Sequence, residues 1–66
     1  MTAAGVAATG AALAALPVDQ RAVVVMRHLL GYAPGDIAAA LDLPRGTVNS
    51  RLRRGLDALR KALDDG

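Results

Sequence analysis

The stretch PGDIAAALDLPRGTVNSRLRRGLDALRKAL, Pro34 to Leu63, decides the fold. Pro34 suits the first turn of a helix and Asp36 complements the positive end of its dipole. Ile37, Ala40 and Leu41 recur at the i, i+3, i+4 spacing of a buried stripe. This helix is expected to end near Leu41. Pro44 disfavours helical geometry at Leu43 and is itself preset to begin a new helix, so Asp42-Leu43-Pro44 reads as a tight turn. A long helix follows from Arg45 to Leu63, in which Val48, Leu52, Leu56, Leu59 and Leu63 define one core-facing stripe. At about 100° per residue, Asn49, Ser50, Arg53 and Arg54 project together to the opposite side. Short helix, tight turn and long basic helix make a helix-turn-helix.

Working outward towards the amino terminus, Leu13 and Leu16 share one face of a short helix over Ala11 to Leu16. Pro17 restarts the chain, Asp19 sits in the next first turn, and Gly31 can take the left-handed conformation that closes a helix. The expected helix runs from about Val18 to Leu30, with Ala22, Val25, Met26 and Leu29 on its apolar face and His28 off that face in solvent. Residues 1–10 read as a disordered tail or linker remnant and 11–66 as the domain. No residue from Met1 to Val18 is charged. That stretch nevertheless lacks a basic leader and strongly apolar content, and falls short of the roughly 20 residues that cross a bilayer, so no membrane role is expected. The fold class is all-α: four helices with a carboxy-terminal helix-turn-helix and no winged elements.

Composition narrows the chemistry. A chain of 66 residues without cysteine forms no disulfide or zinc-thiolate site, and a reducing cytoplasm is its natural setting. His28 is the only imidazole and Ser50 the only serine, the six acids are all aspartates without metal-ligand spacing, and Gly5 and Gly10 lack the following Lys-Thr of a phosphate loop. No catalytic residue, metal site, cofactor or small-molecule substrate is expected. The net charge is only +2, but of the eight basic residues Arg45, Arg51, Arg53, Arg54, Arg60 and Lys61 fall in the last third, as an electrostatic footprint for phosphate requires. Arg51 lies beside the apolar stripe, near where Asp36 could meet it, so an ion pair competes there with a phosphate contact.

Three runs carry a resemblance: Leu-Pro-Val-Asp-Gln-Arg (16 to 21), Asp36-Ile-Ala-Ala-Ala-Leu41, and Pro44-Arg-Gly-Thr-Val-Asn-Ser-Arg-Leu-Arg-Arg54. In order and spacing they resemble region 4 of bacterial RNA polymerase sigma factors of the extracytoplasmic-function group, over about Ala11 to Leu63. The resemblance implies a domain that binds the minus-35 promoter element through its last helix and docks on the flap of the polymerase β subunit. By position, Arg45 and Thr47 at the helix start would hold phosphate, and Asn49, Ser50, Arg53 and Arg54 would face the major groove. Arg51 matches a site of mixed structural and phosphate-contacting use. These roles agree with the geometry, since helix starts favour anions and Arg and Asn suit guanine and adenine edges. The chain departs from the family pattern at Pro34-Gly35, at Asp42 in place of the turn glycine, at Asn49 in place of a basic residue, and at Gly55 in place of alanine. No counterpart of region 2 appears, so the chain is not expected to initiate transcription alone; an excised domain is the first reading, and a natural stand-alone adaptor is the other.

Two other readings are open: the output domain of a LuxR-type regulator, and a partner module sequestered by an anti-sigma factor. With 53% hydrophobic residues, so small a chain has more apolar side chains than it can bury, and Leu13, Val24 and Leu30 are expected to serve protein partners.

Overall fold

The computed structural model describes residues 10–65. The expected tail over residues 1–9 lies outside them, and Gly10, placed in that tail, is helical. Four helices follow in order: α1 over residues 10–15, α2 Val18–Val24, α3 Pro34–Leu41 and α4 Arg45–Asp65. No strand occurs among the described residues, so the architecture is all-α as expected. Both α2 and α3 pack on α4. The core they enclose is Leu16, Val23, Val24, Ile37, Ala38, Val48 and Leu52, with Leu13, Met26, Leu43 and Ala58 packed at its margin.

α2 departs most from expectation. It does not continue as an α-helix to Leu30 but widens into a π-helical turn at Val25–Leu29, where the Leu30 N–H donates to the Val25 carbonyl at 3.1 Å. Its buried side chains are Val23 and Val24, whereas Ala22, Val25 and Met26 are half-buried and Leu29 is 65% exposed. The cause is legible in Arg27, which follows Val23 by four residues and Val24 by three. A regular α-helix would set that cation in line with the pair buried against α4. The wider turn shifts the phase, leaving Arg27 exposed with its Nη1 donating to the Tyr32 carbonyl at 3.5 Å. Gly31, at φ 79°, then turns the chain towards α3.

In α3 the core faces the line between Ile37 and Ala38; Ala40 and Leu41, expected in the stripe, are exposed. Ala40 lies too far round the helix, and Leu41 sits at its open end. Asp42 closes α3 in the left-handed region, at φ 55° and ψ 50°, and the Leu43 N–H reaches back to the Ala38 carbonyl at 2.9 Å. That closure folds Leu43 against the core and aims Pro44 into α4, where the Pro44 carbonyl accepts from Thr47 and Val48 at 3.1 and 3.2 Å.

Along α4, Val48 and Leu52 are buried, Leu56 and Leu59 half-buried, and Leu63 exposed, so the stripe leaves the core as it runs towards the carboxy terminus. Gly55 belongs to the buried face. A methyl group added there would fall 2.6 Å from Val24 Cγ2 and 3.5 Å from the Gln20 Cβ, which makes Gly55 the notch that admits α2. No helix among the described residues is long and apolar enough to cross a membrane.

Candidate nucleic-acid interface

α4 is anchored by Val48 and Leu52, and the side of the helix opposite them faces out of the domain. Asn49, Arg53 and Arg54 are exposed and Ser50 is half-buried, so these four side chains share one outward surface on successive turns. At the start of the helix Arg45 is exposed and Thr47 half-buried. Unlike α2 and α3, which carry Asp19 and Asp36 in their first turns, α4 has no acid there. Its positive end is left without an internal counter-charge. Arg45 also folds back towards α3: its guanidinium occupies the space that a Cβ at Gly35 would take. The glycine at 35 thus gives this side chain a resting place between the two helix starts.

Arg51 does not meet Asp36. Its Nε lies 3.6 Å from Oδ2 of Asp19, in the first turn of α2, with the two side chains 30% and 52% exposed. The helical wheel of α4 alone could not show this, because the pairing depends on how α2 crosses α4 at Gly55. A half-exposed pair of that length contributes little to stability.

Of the apolar residues assigned to protein partners, Val24 is corrected: at 2% exposed it is a core side chain, locked into the Gly55 notch. Leu13 is half-buried against the core. Leu30 is 63% exposed, and its neighbours in the chain Leu29 and Tyr32 are 65% and 47% exposed, so three large apolar side chains meet solvent at the end of the π turn and just after it. Helical spacing conceals Leu29, because an unbroken helix places it on the apolar face, and it carries no signal for Tyr32, which follows the helix.

Residues 7–59 match the family described as "Sigma-70, region 4". Among curated proteins, the chain is 40% identical over 50 residues to ECF RNA polymerase sigma factor SigW of Bacillus subtilis, covering 76% of this chain and 27% of that protein. SigX of the same organism is 39% identical over 54 residues, covering 82% and 28%. RNA polymerase sigma-E factor of Streptomyces antibioticus is 43% identical over 53 residues, covering 80% and 29%. The chain therefore spans under a third of the length of these relatives.

Proposed function

Because the chain belongs to the sigma-70 region 4 family, we propose that it is the promoter-reading domain of an extracytoplasmic-function sigma factor and that α4 enters the major groove of the minus-35 element. The observation that carries this reading is the outward surface of Asn49, Ser50, Arg53 and Arg54, set directly opposite Val48 and Leu52. Arginine and asparagine offer paired donors and acceptors to guanine and adenine edges, while the start of α4, with Arg45 and Thr47, meets phosphate. Arg51, tied to Asp19, contributes a backbone contact at most. The chain acts by binding rather than by catalysis, in the cytoplasm, alongside the polymerase.

The exposed group of Leu29, Leu30 and Tyr32 supports a protein partner on a face of its own, with the β flap of the polymerase as the first choice and an anti-sigma factor as the competitor for it. The family match favours this reading over a LuxR-type output domain. The test is binding to a minus-35 duplex and to a scrambled duplex of equal length over a salt series. Tighter binding to the minus-35 duplex, with affinity falling steeply as salt rises, is expected, because most contacts of such a domain go to phosphate. Equal affinity for the two duplexes would remove promoter reading, and affinity indifferent to salt would remove nucleic acid as the main ligand.

A further inference from the structure

Beyond the outward cluster, α4 carries a second set of charges. Arg60 follows Arg53, and Lys61 follows Arg54, by seven residues, which returns each to nearly the same side of the helix two turns on. All four are exposed. Asp57 stands between the two pairs, three or four residues from every one of them, at the separation at which helical side chains meet. It is exposed, and the only ion pair among the described residues is the one between Asp19 and Arg51. Without Asp57 the four cations would form an unbroken basic strip along the outer face of α4. With it, a negative charge stands one turn beyond Arg54, where a recognition helix begins to leave the groove.

Resting on the DNA-binding reading above, we propose that Asp57 sets the carboxy-terminal limit of the DNA-facing surface. Its carboxylate repels nearby phosphates and offsets part of the field of Arg53, Arg54, Arg60 and Lys61. Affinity for DNA of every sequence is thereby held down, while base contacts made earlier on α4 are untouched. Repulsion of this kind is uniform because phosphate carries no sequence. It also acts through solvent, so salt screens it within about 10 Å at 0.1 M.

The experiment measures binding of the whole chain and of Asp57→Asn and Asp64→Asn to the minus-35 and scrambled duplexes, from about 50 to about 400 mM salt. Circular dichroism checks that each variant folds. Asp57→Asn is expected to tighten binding to both duplexes by about three- to tenfold at the lowest salt and by less than about twofold at the highest, with their affinity ratio unchanged. Asp64→Asn removes the same charge farther along α4 and is expected to do less than half as much. Equal gains from the two variants would mean that net charge alone matters, and the proposal falls. An unchanged affinity for Asp57→Asn overturns it too, as does a change confined to the minus-35 duplex, which would make Asp57 a base reader. If the unaltered chain binds neither duplex, it is the DNA-binding reading itself that fails.

Discussion

Arg53 and Arg54 follow the buried pair Val48 and Leu52 on the opposite side of α4, whereas Arg60 comes two turns later. Only the early turns of a recognition helix reach base edges deeply, and an arginine paired to guanine is worth about 1–3 kcal/mol of discrimination. Arg53→Ala and Arg54→Ala should therefore relax sequence preference as well as affinity, while Arg60→Ala should weaken all sequences slightly and alike. A binding series on the minus-35 element and its single-base variants, at one fixed salt, separates the two behaviours. Uniform losses at 53 and 54 would make both phosphate contacts. Asp42 raises a different question at the same scale. It holds φ 55° without being glycine, a conformation that costs an L-residue about 1–2 kcal/mol, less for Asp, whose short polar side chain eases it. Asp42→Gly should stabilise the fold by about 0.5–1 kcal/mol, partly offset by glycine's freedom when unfolded. For so small a domain that is a rise in Tm of roughly 2–8 °C. A lower Tm would show that Asp42 supplies more to the turn than its backbone geometry reveals.

Between elements, the contact that matters most is α2 against Gly55. Alanine in place of a helical glycine gains about 1 kcal/mol on propensity alone. Here the new methyl would meet Val24 Cγ2 at 2.6 Å inside the core, and overpacking costs about 1–3 kcal/mol. Gly55→Ala is expected to lower stability in urea unfolding by about 1 kcal/mol, yet to raise it in a Val24→Ala background, where the space is open. The same sign in both backgrounds would dismiss the notch. The neighbourhood also explains what could be read from the amino-acid order and what could not. α3, its turn and α4 are local in sequence, and α4 lays one long stripe on one surface, so periodicity found them. α2 is half-buried or better on most sides, and its phase breaks at the π turn, so counting threes and fours put Ala22 and Leu29 where Val23 and Val24 belong. The outward residues of α4 were legible for the same reason as its stripe. The Asp19 partner of Arg51 was not, because no spacing within one helix encodes a crossing between two.

For the molecule as a whole, the two proposed faces are built differently: one polar and carried by a continuous helix, the other apolar and carried by Val25–Leu29 and the residues just after it. Leu30 is exposed and absent from the core, so Leu30→Asp should leave folding intact while abolishing capture by polymerase or by an anti-sigma factor. Retention of both interactions, with the fold preserved, would clear this face of any docking role. The face owes its position to a five-residue turn where an α-helix would use fewer. Shortening the chain by one residue between Val25 and Arg27 would return the segment to α-helical phase and swing Leu29 and Leu30 about 100° around the axis. His28 would then stand three residues after Val24, facing the α4 seam. A deletion that leaves the buried pair Val23 and Val24 in place would thus dismantle the apolar face, whereas the same loss beyond Leu63 would leave it untouched.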